Sequence, residues 1–260
     1  MIVLLHSSKT MRAPQGKPMA PRSPMLLAAA AQLGEYLKTL STTQLQKAMH
    51  LSPSLAQKTH GLIDQWSPSP DNSMAAIDSF VGDIYSGLRA SSLSQAERTY
   101  ADKTLCILSG LYGVLRPLDT ICPYRLEMGY RLPDAPFTNL YAFWGESIAQ
   151  HLPKQGLVVN ASSVEYTKAV LPYINEARVV TPQFLTVNSK TSEPTFVVVH
   201  AKIARGAFAR WIIQHRIEEV EGLTQFNDLG YQYNKTLSTL AQPVFVCQEF
   251  GGIGLSMRLE

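Results

Sequence analysis

Residues Thr104–Gly129 read TLCILSGLYGVLRPLDTICPYRLEMG. The apolar run Leu105-Cys106-Ile107-Leu108 has the makings of a buried strand, and it stops at Ser109-Gly110. The loop beyond carries Tyr112, Arg116, Asp119, Tyr124, Arg125 and Glu127. A plain connection needs only turn residues, so a strand followed by this many polar and aromatic side chains is building a site.

Two further apolar runs end in the same way. Met1–His6 leads into Ser7, Ser8 and Lys9, and Gly156–Asn160 leads into Ser162, Tyr166 and Lys168. Open α/β sheets bind ligands outside the carboxyl ends of their strands. Parallel pairing of the three strands would therefore gather Lys9, Arg116 and Lys168 into one cleft, with Ser109, Asn160 and Ser162 on its rim.

Between these strands the period is helical. A helix is expected over Pro24–Thr39. Ser41-Thr42-Thr43-Gln44 has the capping-box pattern, and Ser52-Pro53 caps a second helix that runs to Trp66. The short His50-Leu51-Ser52 join makes these two helices a tight hairpin. Thr10–Pro24 and Ser67–Ser73 read as surface loops. Leu140–Leu152 reads as one helix, Arg178–Val187 and Thr195–His200 as strands, Lys202–Arg216 as an amphipathic helix and Pro243–Cys247 as a last strand, with a loose glycine-containing tail from Gly251. The expected fold is α/β with a mixed central sheet flanked by helices, one domain over residues 1–260, including a helix-hairpin-helix-like element at 41–66.

The 260 residues are 45% hydrophobic and 17% charged, which excludes wholesale disorder. A net charge of +3 means that nucleic-acid binding would need positive charge gathered in one place. No run is long enough to span a membrane, the N-terminus lacks a signal peptide's basic leader and cleavage site, and three scattered cysteines suit a reducing compartment. The expectation is a cytoplasmic protein with no membrane role. No Cys or His spacing suits a metal, and no cofactor fingerprint is present, so none is expected.

Several side chains admit two readings. Lys202 and Arg205, placed in the first turn of their helix, would oppose its dipole unless an anion is held there; alternatively they snorkel or pair with acids. Arg116 and Arg125 either grip a phosphate or pair with Asp119 and Glu127. Tyr112, Tyr124 and Trp144 either stack on a base or fill the core, and core packing is the better reading for Trp144. Cys106 reads as an inert buried thiol; a pKa lowered by the arginines is conceivable for Cys122, but a redox role is the lesser reading.

The chain resembles the peroxide stress resistance protein YaaA family. The likeness rests on LLHSSKT (Leu4–Thr10), FVGDIYSGL (Phe80–Leu88), Ile107–Gly129, LYAFWG (Leu140–Gly145), VNASSVEYTK (Val159–Lys168), ARGAFARWII (Ala204–Ile213) and FNDLGYQY (Phe226–Tyr233). It implies a compact α/β fold with a positively charged cleft, a helix-hairpin-helix element, a cytoplasmic role in peroxide defence, and binding of duplex or branched DNA. The matching helix pair here, Thr42–Trp66, has no glycine at its His50-Leu51-Ser52-Pro53 turn, and Ser7-Ser8 stands where Pro-Ala is usual. Two functions are carried forward. One is sequence-independent DNA binding by Lys9, Ser109, Tyr112, Arg116, Tyr124, Arg125, Asn160, Ser162, Tyr166, Lys168, Lys202 and Arg205. The other is an enzyme acting on a nucleotide or nucleobase in the same cleft, with Lys9, Arg116 and Glu127 (or Glu165) as catalytic candidates.

Overall fold

The computed structural model describes residues 1–14, 22–69 and 73–252. Parts of the two expected loops, and the tail beyond Gly252, lie outside the described residues. In chain order the first elements are β1 (Ile2–His6), β2 (Thr10–Met11), α1 (Leu27–Lys38), α2 (Thr42–Ala48), α3 (Pro53–Gln65), β3 (Met74–Ala75), α4 (Ala76–Ser79), β4 (Phe80–Val81), α5 (Asp83–Leu88) and α6 (Gln95–Thr104). The motif then supplies β5 (Leu105–Ser109), β6 (Gly113–Leu115) and β7 (Thr120–Ile121), followed by α7 (Leu140–Trp144), α8 (Ser147–Gln150), β8 (Val158–Asn160) and α9 (Val164–Thr167). The last elements are β9 (Val179–Val180), β10 (Gln183–Val187), β11 (Pro194–Thr195), α10 (Val198–His215), α11 (Val220–Leu223), β12 (Tyr231–Tyr233) and β13 (Val244–Cys247).

A five-stranded sheet runs in the order β6-β5-β1-β8-β9, parallel except for β6. Its middle strand β1 is buried at every residue, as a strand covered on both faces must be. The three polar-ended strands β5, β1 and β8 are thus parallel neighbours. The chain leaves β1 toward β5 on one side and leaves β8 toward β9 on the other, so the carboxyl ends of β1 and β8 flank the switch point of the sheet.

A second sheet, β11-β10-β13-β12, packs Phe184, Tyr231 and Phe245 into an aromatic cluster with Phe208 of α10 and with Phe226, which precedes β12. Helix α10 touches β1 of the first sheet and β10 of the second. It is buried on nearly all sides, including Ala201, Ile203, Ala204, Gly206, Ala207 and Phe208, as suits a helix held between two sheets.

The capping signals are realised. Ser41 and Gln44 form a capping box on α2, and Ser52 caps α3 with Pro53 in its first turn. A second box, Ser94 with Glu97, starts α6, which runs straight into β5. Ser94→Ala is expected to cost about 1 kcal/mol, measured as a lower urea midpoint at unchanged slope.

Four expectations are corrected. The single helix over Leu140–Leu152 is two, because Gly145 turns left-handed (φ 45°) between them. The strand over Arg178–Val187 divides around Thr181-Pro182, its halves joining different sheets; proline cannot supply a ladder donor. The strand over Thr195–His200 ends at Thr195, and Val198 already begins α10. Tertiary packing overrides the β preference of that valine run. Lys202 and Arg205 consequently lie beyond the first turn of α10, and their opposition to its dipole falls away.

Candidate functional site

The switch-point crevice is built around His6. The backbone N–H of Ser163 donates to His6 Nδ1 at 3.2 Å, and the Ser162 hydroxyl lies 3.1 Å from the same nitrogen. With Nδ1 accepting, the ring proton belongs on Nε2. Tyr85 donates its hydroxyl to the His6 carbonyl, 2.9 Å away, and the His6 ring stacks on Tyr166. Burial, then the nearby Arg205 and Lys202, drive the His6 pKa down to about 3, so the imidazole is neutral. Asn160 shapes the turn beside it, accepting from Ser162 N–H and donating to Thr181.

From the crevice a polar chain runs through buried Tyr166 and Glu127 out to Lys9 at the surface. Tyr166 donates its hydroxyl to Glu127 Oε1 at 3.1 Å and is 3.1 Å from Ser7 Oγ. Lys9 Nζ stands 4.0 Å from the other Glu127 oxygen. Burial and the Glu165 charge raise the Glu127 pKa, with Lys9 pulling the other way. A carboxyl raised toward neutrality is suited to proton transfer. Glu165 itself accepts from Gly129 N–H. On the β5 side, Ser109 Oγ and Tyr124 OH are 2.6 Å apart, and Ser109 also accepts from Tyr112 N–H.

Glu127 also ties stability to pH. Its folded pKa lies above its unfolded value, so its contribution is full below the unfolded pKa and is lost as pH rises through the folded one. Glu127→Gln keeps an acceptor for Tyr166 and removes the buried charge. The variant is expected to melt above wild type at pH 8, the gap closing as pH falls to about 4; melting temperatures across that range check it.

The structure gathers Lys9, Ser109, Tyr124, Arg125, Glu127, Ser162 and Tyr166 along the carboxyl edge, and α10, which carries Lys202 and Arg205, packs against β1. Arg116 is elsewhere. Because β6 turns back antiparallel to β5, with Leu115 opposite Ile107, Arg116 follows about 10 Å behind Ser109 along the strand axis. There it binds Asp119, which also accepts from Arg22. The expectation that Arg116 joins Lys9 in one cleft fails, and the ion-pair reading of Arg116 holds. Tyr112 is core, accepting from Trp66 Nε1 at 2.8 Å and packing edge-on against Tyr124. Trp144 is buried and donates to the Gly110 carbonyl. Lys168 is exposed after α9. Burial pushes the Cys122 thiol up, against the lowered pKa conceivable beside arginines, and holds Cys106 at about 12. The motif reading passed over His6; its signal is a histidine ending an otherwise apolar, fully buried strand.

A second feature opens beside Lys9. A groove of about 920 Å³ lies between α3 and the segments 9–14 and 122–125. Lys9, Arg12, Lys58 and Arg125 line it, and no carboxylate does so among the described residues. Leu62, Trp66 and Tyr124 contribute apolar wall. Arg125 donates to the Lys9 carbonyl at 3.0 Å, while its buried Nε has no acceptor among the described residues. Among the described residues no group of three or more His, Cys, Asp or Glu is arranged to hold a metal. No helix among them is long and apolar enough to cross a membrane.

The family model described as peroxide stress protein YaaA matches residues 1–237. A UPF0246 protein of Salinispora tropica is 56% identical over 259 residues, covering 99% of this chain and 98% of its own. UPF0246 proteins of Bordetella petrii and Roseobacter denitrificans are 41% and 40% identical, covering 85% and 84% of this chain and 89% and 87% of their own.

Proposed function

This chain belongs to the peroxide stress protein YaaA family, and on that premise we propose that it is a cytoplasmic stress-response protein that binds DNA without regard to sequence, shielding it from oxidative damage. The observation that carries the reading is the groove: four cationic side chains, from Lys9, Arg12, Lys58 and Arg125, around one concavity with no lining carboxylate among the described residues. Charge of one sign spread along a groove neutralises successive phosphates and reads no base edge. The helix pair contributes the flank of α3 rather than its tip, since at the tip the Leu51 amide is already bonded to the Gln46 carbonyl. Duplex titrations over a range of salt, with two unrelated sequences, test this; equal affinities that fall steeply with salt are expected, and affinity indifferent to salt would refute it.

A second reading is favoured by the buried chain Ser7–Tyr166–Glu127, capped by the exposed Lys9, which nonspecific backbone binding does not need. In that reading the crevice is the site of an enzyme acting on a nucleotide or nucleobase, with Glu127 as its acid or base. Thermal shifts with nucleotides and nucleobases separate the two, because a small ligand raises the melting temperature by mass action.

A further inference from the structure

Helix α10 is packed on nearly all sides, yet two cations interrupt its buried run at Lys202 and Arg205, one turn apart. Helix α10 packs against β1, which ends at His6, and against α5, whose Tyr85 bonds the His6 carbonyl, and both charges are felt at His6. Neither has an ion-pair or hydrogen-bond partner among the described residues. For Arg205 this is exceptional. The other partly buried arginines all have acceptors: Arg22 in Asp102 and Asp119, Arg98 in Asp78, Arg116 in Asp119. Arg125 bonds the Lys9 carbonyl, Arg178 bonds three backbone carbonyls, and Arg210 bonds the Ser92 hydroxyl. A guanidinium presents five donors, and those of Arg205, on a partly buried side chain, find no acceptor among the described residues.

We propose that Lys202 and Arg205 bind the terminal phosphate of a small phosphorylated molecule in the crevice between β1 and β8, with His6 Nε2–H as a third donor. Three features select this ligand class. Two adjacent cations match a phosphomonoester, which carries close to two negative charges near neutrality, better than the single charge of a backbone diester. The neutral imidazole adds a donor without a third charge, because Nδ1 is occupied by Ser163 N–H. The crevice is the switch point of the sheet, where the remainder of such a ligand can extend toward Ser162 and the Glu127–Tyr166 pair. The proposal rests on the second functional reading and deepens it; the DNA groove is independent of it.

Calorimetry on the full chain at low salt, with AMP, ribose 5-phosphate and adenosine as probes, tests it. Saturable binding of both phosphorylated probes is expected, with adenosine at least about tenfold weaker. Lys202→Gln, at a partly exposed position, and Arg205→Lys, which keeps charge and bulk but loses the fork, should each weaken AMP about 10- to 100-fold. Lys202→Gln should leave duplex affinity unchanged. Adenosine binding as tightly as AMP would overturn the phosphate assignment and leave the enzyme reading standing, whereas failure of all three probes would remove both. Variants that weaken the duplex and spare AMP would assign the two cations to DNA instead.

Discussion

Gly206→Ala should lose about 3 kcal/mol or more of stability, a large share of the roughly 5–15 kcal/mol that holds a typical domain folded. Helices α5 and α10 cross at two glycines that touch each other's backbone. A Cβ at Gly206 would overlap the Ile84 carbonyl, and one at Gly87 would overlap the Ile203 carbonyl. Backbone cannot swing aside as a side chain can, so relief requires the helices to part. Parting them would disturb the crevice too, because α5 carries Tyr85, bonded to the His6 carbonyl, and α10 carries Arg205 next to Gly206. Gly87→Ala should act likewise, and the double variant should cost less than the sum, since both relieve by the same separation. Gly61, inside α3 with nothing within 4 Å of an added Cβ, is the control; Gly61→Ala should be neutral or stabilising by up to about 1 kcal/mol. Urea unfolding measures all of these, and Gly206→Ala within about 1 kcal/mol of wild type would mean that the helices do not cross this closely.

The second large effect is on DNA. With four groove cations each neutralising one phosphate, the affinity should fall with a log–log salt slope of about −3.6, or roughly 150-fold between 50 and 200 mM salt. Lys58→Ala with Arg125→Ala should reduce the slope to about −1.8 and weaken binding at low salt roughly tenfold or more. Two unrelated duplexes should behave alike. The double variant needs its fold confirmed, because Arg125 also holds the Lys9 carbonyl; Lys58, exposed and without a partner among the described residues, carries the same test alone at half the change in slope.

Much of this was legible in the sequence because local chemistry agreed with the fold. The capped starts of α2 and α3, and the apolar strands β1, β5 and β8, follow from residue type and spacing alone. Their shared style of ending raises the hypothesis that those strands are parallel neighbours, and they do pair so. What sequence withheld was direction. Nothing in Gly113-Val114-Leu115 announces that the chain doubles back along β5, and that reversal carries Arg116 to Asp119 and away from Lys9. The start of α10 was hidden for a different reason, since Phe196-Val197-Val198-Val199 has β propensity that packing overrides. The groove escaped notice because Arg12 and Lys58 are ordinary surface cations until the fold sets them opposite Arg125.

Amide hydrogen exchange with and without duplex DNA bears most directly on the claim that the α3 groove, and not the hairpin tip, receives the phosphates. Slowed exchange is expected in α3 and in residues 9–14 and 122–125, with Met49–Ser52 unchanged. Protection confined to Met49–Ser52, or to a face away from Arg125, would contradict the account.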